Sequence, residues 1–122
     1  MLKIVVGGQL SKEEVVAAVK AAGGDRVTVE KKTDMAAAMD RKSGAADYYL
    51  GCCQTGGGGS LAMAIALCGY GQCVTLASPG KAMTPAEIAV QVQSGKTCFG
   101  FVPESISTVV PPLVAALLEK KG

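Results

Sequence analysis

Tyr48-Tyr49-Leu50-Gly51-Cys52-Cys53-Gln54-Thr55-Gly56-Gly57-Gly58-Gly59-Ser60 is the stretch on which the fold turns. An apolar run, Tyr48 to Leu50, leads into two cysteines and then four consecutive glycines. A helical pattern from Leu61 to Leu67 follows directly. Glycines cost backbone entropy when ordered, so a compact chain keeps four together where it turns tightly or approaches a ligand closely. A strand, a glycine turn and a helix form the unit in which an α/β protein presents backbone N–H groups to an anion. The stretch predicts a third strand over Asp47 to Cys52, a binding loop, and a third helix from Ser60 to Leu67.

The alternation continues outward in both directions. Toward the N-terminus, Asp34 to Arg41 reads as a helix capped by Thr33 or Asp34, with Met35, Ala38 and Met39 on its apolar side. Arg26 to Glu30 is a second strand whose charged ends suit a sheet edge. Ser11 with Glu14 three residues on is a capping-box signal for a helix to Ala22, turning Val15, Val16, Val19 and Ala22 inward. Leu2 to Val6 is the first, buried strand.

Toward the C-terminus, Cys73 to Ala77 is the fourth strand and Ser78-Pro79-Gly80-Lys81 a turn. Thr84-Pro85-Ala86-Glu87 is the strongest helix start in the chain: an N-cap Thr, Pro at the first helical position, and Glu three after the cap. Ile88, Val90 and Val92 belong to that helix. Cys98 to Val102 is the fifth strand. Pro103 to Lys120 is helical with a fault at Pro111-Pro112, where either the helix kinks or a short turn precedes a new helix near Pro112.

The order βαβαβαβαβα predicts one domain over residues 1–122, a Rossmann-like three-layer α/β/α sandwich with a five-stranded parallel sheet. Right-handed crossovers leave a flavodoxin-like strand order, or a close variant with the last strands exchanged.

Composition excludes several classes. Twelve basic and ten acidic residues give a charge of only +2, with no basic stripe interleaved with aromatics, so no nucleic-acid partner is expected. The longest apolar stretch, Leu61 to Cys68, is too short for membrane insertion. Met1 to Val6 is too short for a secretory signal, and the expected location is cytoplasmic. The five cysteines include no Cys-x-x-Cys pair and the chain has no histidine, so no metal site is expected and free thiols in a reduced compartment are.

In a parallel sheet, ligands bind beyond the carboxyl ends of the strands. The first strand brings Gly8 and Gln9 there; the third brings Cys53, Thr55, Gly56, Gly57, Gly58, Gly59 and Ser60; the fourth brings Ser78 and Lys81. These are the candidate ligand-binding residues, with Lys81 as charge partner for an anion. The glycine run lacks the Gly-Lys-Ser/Thr ending of a P-loop and the position of a dinucleotide fingerprint, so no cofactor is expected. The ligand expected is a small anionic metabolite, phosphorylated or carboxylated. Cys52 and Cys53 alternate in direction, one toward the core and one toward the site. Cys53 is the candidate catalytic group, a proton-transfer base if its pKa is lowered. With no histidine, a Cys-His nucleophile is excluded.

Two resemblances follow from these residues. Met35-Ala36-Ala37-Ala38-Met39 with Lys42-Ser43-Gly44, Asp47 to Gly51, Thr55-Gly56 to Gly69-Tyr70, and Phe99-Gly100 resemble the YhfU-like family of bacterial proteins of unknown function across nearly the whole chain. That likeness implies a metabolic role, with a metabolic enzyme or transporter as partner. Cys53-Gln54-Thr55-Gly56-Gly57-Gly58-Gly59-Ser60 is similar to the Cys-Gly-Thr-Gly-x-Gly-x-Ser loop of B-type ribose-5-phosphate isomerases, with Gln54 in place of a Gly. This implies that fold, a homodimer, Cys53 as enolising base, and Thr55, Gly56 and Gly58 as holders of substrate oxygens. Gln9-Leu10 stands where those enzymes carry Asp-His, and neither the ring-opening His nor the phosphate-binding Arg cluster has a counterpart. A phosphocarrier of a sugar transport system fits the size, but its reactive Cys follows the first strand, where this chain has Gly7-Gly8-Gln9.

Overall fold

A computed structural model describes residues 1–121. The chain alternates strand and helix: β1 (Leu2–Gly8), α1 (Lys12–Gly23), β2 (Val27–Lys31), α2 (Asp34–Ser43), β3 (Tyr48–Cys52), α3 (Ala62–Cys68) and β4 (Cys73–Thr75). A small hairpin follows, β5 (Ala77–Ser78) and β6 (Lys81–Ala82), then α4 (Pro85–Gln93), β7 (Cys98–Phe101) and α5 (Ile106–Lys121). The main sheet is five-stranded and parallel in the order β2-β1-β3-β7-β4. Among the parallel strands this is the flavodoxin-like order with the last two exchanged. No helix among the described residues is long and apolar enough to cross a membrane.

Period-two alternation divides the core between the two faces of the sheet. Ile4, Val6, Leu50, Cys52, Phe99 and Phe101 share one cluster with buried residues of α1, α4 and α5. Val5, Tyr49, Cys73 and Cys98 share the other with Ala37 and Ala38 of α2 and Leu61 and Ala64 beside α3. The second cluster is built from small side chains, so its helices lie close to the sheet.

Several local expectations are corrected by tertiary contacts. Ser11 makes no capping bond and sits in the left-handed region at φ 56°. The N–H groups of Gln9 and Leu10 both donate to Cys52 O, at 2.9 and 3.1 Å, which ties this segment to β3 and sets the entry of α1. Ala22 is exposed, and Gly23 packs there instead, with no room for a Cβ against Val27. On α2, Thr33 is the cap, accepting from Ala36 N–H at 3.2 Å, while Met35 and Met39 face outward and Ala37 and Ala38 take the core.

The predicted fourth strand breaks at Leu76, whose N–H donates to Gly100 O at 2.7 Å before the chain enters the hairpin. The capping box of α4 forms in full, although Val90 faces solvent. The C-terminal segment has a 3-10 turn, Pro103–Ser105, and then one helix that runs through Pro111 and Pro112. The i−4 carbonyls that the prolines leave free belong to Ser107 and Thr108, both exposed, so water can satisfy them.

Three glycines lie in register across the centre of the sheet: Gly7 opposite Gly51, and Gly51 opposite Gly100. A Cβ at Gly7 would stand 2.7 Å from the Tyr49 ring, one at Gly51 2.7 Å from Ser60 O, and one at Gly100 2.3 Å from Gly56 O. The row forms a trough that receives the Tyr49 ring and the glycine loop. Replacing Gly100 with Ala should destabilise the protein by about 2–3 kcal/mol, through overpacking against backbone that cannot give way. Urea unfolding checks it, and a loss under about 0.5 kcal/mol, the range of neutral surface changes, would contradict the trough.

Candidate functional site

The site is built where β3 ends above the glycine trough. Cys53 continues β3, its N–H donating to Phe101 O at 3.1 Å. Thr55 closes the turn: its Oγ1 accepts the Gly58 N–H at 3.0 Å and lies 3.4 Å from Cys53 Sγ. Because Gly58 supplies one proton to this oxygen, the Thr55 hydroxyl proton is free to point at the sulfur. Ser60 is buried, and its hydroxyl donates to Gly56 O at 3.1 Å. Leu61 N–H donates to Gly57 O at 3.1 Å, and the chain passes into α3. Tyr49, fully buried below, donates its phenol to Ser60 O and fixes the end of the loop.

The four glycines are not equivalent. Gly56 has φ 87°, and a Cβ there would meet Ala77 O at 2.1 Å. A Cβ on Gly57 would meet Thr75 Oγ1 at 2.7 Å, and one on Gly59 the Gln9 amide oxygen at 2.5 Å. Packing accounts for those three. Gly58 is exposed, outside the left-handed region, and a Cβ would touch only Thr55 Oγ1 at 3.2 Å. Packing within the chain leaves Gly58 nearly free to vary, so its bareness keeps the loop open beside Thr55.

The adjacent cysteines have opposite electrostatics. Cys52 lies in the core, and burial with the neighbouring Cys53 pushes its thiol up to about 12. At Cys53 burial also opposes ionisation, but hydrogen bonding around Ser60 and Thr55, whose Oγ1 lies 3.4 Å from the sulfur, outweighs it. The thiol is pulled down to about 6. Tyr49 is held protonated by burial first and by the charge of Asp34 second. Asp34 Oδ1 is buried with no hydrogen-bond partner. Tyr49 is a part of the site that sequence reasoning missed, having read only as a strand residue.

The structure gathers Gly8, Gln9, Cys53, Thr55 and Gly56 to Ser60 into one region. Gly8, at φ 83°, packs against the Cys52 backbone, and the Gln9 side chain rests on Gly59. Ser78 and Lys81 lie in the hairpin, whose Ala77 carbonyl stands against Gly56. They line a cleft of about 260 Å³ with Thr75 and Glu87, which none of the four loop glycines lines. Lys81 there helps hold the Glu87 carboxyl below its usual range, after the hydrogen bonds from Thr84. The chain leaves the sheet at Leu76 before the hairpin, and no signal in the sequence marks that break.

In architecture the chain has a flavodoxin-like α/β fold, shared with a ribose 5-phosphate isomerase. The crystal structure of a ribose 5-phosphate isomerase RpiB from Thermotoga maritima superposes with a TM-score of 0.63, covering 97% of this chain and 83% of that one at 15% identity. At that identity the likeness concerns the fold alone. The chain belongs to the family described as a protein of unknown function, DUF2620, which matches residues 2–117. The uncharacterized protein YhfU of Escherichia coli K12 is 39% identical over 114 residues, covering 93% of this chain and 97% of its own length. The YhfU of Shigella flexneri matches to the same extent.

A folded-state thiol near 6 against 9 in the unfolded chain adds stability that is full above pH 9 and is lost as pH falls through 6. The ultraviolet thiolate absorbance, taken as wild type minus Cys53→Ser, should titrate with a midpoint near pH 6. Thr55→Val should move that midpoint upward by removing the hydroxyl 3.4 Å from the sulfur. A midpoint near the ordinary thiol value in the wild type would refute this account of the site.

Proposed function

We propose that this protein binds a small anionic metabolite, phosphorylated or carboxylated, on the glycine loop after β3, and that Cys53 moves a proton on it. The observation that carries this reading is the thiolate-favouring setting of Cys53 beside the open face of Gly58. A base with a pKa near 6 is mostly ionised at neutral pH and can take a proton from the carbon next to a carbonyl. Thr55 and Ser60 stabilise its charged form before the transfer. The resulting thiol can return the proton to the neighbouring carbon, which is the chemistry of an aldose–ketose interconversion. Loop N–H groups and Thr55 serve the substrate oxygens. The likeness in fold to a ribose 5-phosphate isomerase supports this class of reaction.

The chain has no histidine to open a sugar ring. The reading therefore favours a hydroxy-carbonyl substrate that is already open, such as a phosphorylated aldehyde too short to cyclise. Lys81 lines the hairpin cleft, so the anionic group is held by backbone and hydroxyl donors.

Proton exchange in D₂O, followed by NMR, tests the reading with glyceraldehyde 3-phosphate and ribose 5-phosphate as probes. Deuterium should enter the carbon beside the carbonyl with wild type, faster for the shorter probe, and not with Cys53→Ser. Gly58→Ala should weaken binding while changing stability by less than about 1 kcal/mol, since only a hydroxyl must yield. Exchange that persists in Cys53→Ser would remove the proton-transfer role. Binding unaffected in Gly58→Ala would remove the loop from the site.

A further inference from the structure

Three of the five cysteines lie away from the candidate site: Cys68 ends α3, and Cys73 and Cys98 lie in the core beneath it. Cys73 of β4 and Cys98 of β7 are directly opposite one another in register. Both side chains belong to the same core cluster, with Cys68 packed against it. The thiols are close enough to influence one another's ionisation, while Cys68 Sγ donates to Ala38 O at 3.7 Å and Cys73 Sγ to Gly69 O at 3.5 Å. Among the described residues no group of His, Cys, Asp or Glu is arranged to hold a metal ion, so thiol chemistry is what this cluster offers.

Neighbouring parallel strands run roughly 4.8 Å apart, which lies within the Cα separations that a disulfide spans. The two thiols also differ in access. Cys98 is fully buried, whereas Cys73 is slightly exposed and lines a cleft of about 480 Å³ with Gly57, Tyr70, Gln91 and Lys96. The hydrogen bond from Cys98, and next the Lys96 charge, hold the Cys73 thiol below its ordinary range against burial. Cys98 stays protonated because it is the donor to Cys73 and because it is buried. One thiol is set to attack and its neighbour to resolve.

We propose that Cys73 and Cys98 form a redox-sensitive pair, in which a peroxide oxidises Cys73 and Cys98 then closes a disulfide between β4 and β7. In the first step the Cys73 thiolate attacks a peroxide oxygen. The O–O bond breaks, Cys73 becomes a sulfenic acid, and hydroxide leaves and takes a proton as water. In the second step Cys98 Sγ attacks Cys73 Sγ and the S–O bond breaks. The departing hydroxide takes the Cys98 proton and leaves as water. Two thiols lose two electrons in total, and one molecule of hydrogen peroxide becomes two of water.

The position of the bond connects it to the glycine loop. Two residues beyond Cys73, the Thr75 side chain abuts Gly57; two residues beyond Cys98, Gly100 lies beneath the Gly56 carbonyl. Closing the bond fixes the spacing of the two strands on which the loop rests. The oxidation state of the pair is thereby read at the loop.

The test is brief exposure of the native protein and of Cys53→Ser to hydrogen peroxide. Alkylation, digestion and mass mapping follow. A Cys73–Cys98 cross-link, reversible by dithiothreitol, is expected in both proteins. Cys98→Ser should stop at a Cys73 sulfenic acid trapped by dimedone, and Lys96→Gln should slow its formation severalfold. Cys73 left unmodified while Cys53 is oxidised would overturn the proposal, as would a cross-link from Cys98 to Cys68. The wild-type mapping decides the matter even if Cys98→Ser fails to fold. The Cys53→Ser arm keeps the outcome separate from the fate of the proton-transfer reading.

Discussion

Close approach of backbone to backbone over the in-register glycines 7, 51 and 100 is the constraint on which the rest of the molecule depends. Without side chains at those positions, the sheet has a groove across its middle strands. Tyr49 lies in it and reaches Ser60 O, while Gly56 O and Leu61 rest on Gly100. The loop is thus seated on rigid strands, so the directions of its hydroxyls and N–H groups are fixed before any ligand arrives. Pre-organised donors of this kind need no reorganisation when charge develops, which is the main electrostatic advantage of a folded site over water.

The same seating explains how two adjacent cysteines acquire opposite characters. Strand alternation sends Cys52 into the face covered by α1, α4 and α5, where burial, then the neighbouring Cys53 and the carboxylates of Glu14 and Glu104 oppose its ionisation. Cys53 emerges one step later, where the turn sets the Thr55 hydroxyl 3.4 Å from its sulfur. Burial opposes ionisation of both thiols, and hydrogen bonding around Thr55 and Ser60 overcomes it only at Cys53.

Much of the fold was legible because local and tertiary preferences agree. Thr84-Pro85-Ala86-Glu87 forms the capping box that its spacing predicts, and the strand–helix alternation gives the sheet with its last strands exchanged. Legibility failed where long-range hydrogen bonds or packing overrode the local signal. Ser11 is set by the bonds from Gln9 and Leu10 to a strand some forty residues away in sequence. Met35 and Met39 face outward because Ala37 and Ala38 are the α2 residues packed in the core on that side of the sheet. Of the site, the loop and Cys53 could be read from chain order alone. The role of Tyr49 and the break at Leu76 depend on contacts that no spacing encodes.

The paired prolines of α5 bear on how the molecule assembles. Ile106, Val109, Val110, Leu113, Val114, Leu117 and Leu118 make this helix the largest helical contributor to one layer of the core. Yet two missing hydrogen bonds in its middle deprive it of the cooperative propagation that lets a helix persist alone. The segment therefore depends for its order on docking onto α1 and α4. A chain shortened within it would leave that layer of the core open while the glycine loop, on the opposite face, still had the groove on which it rests.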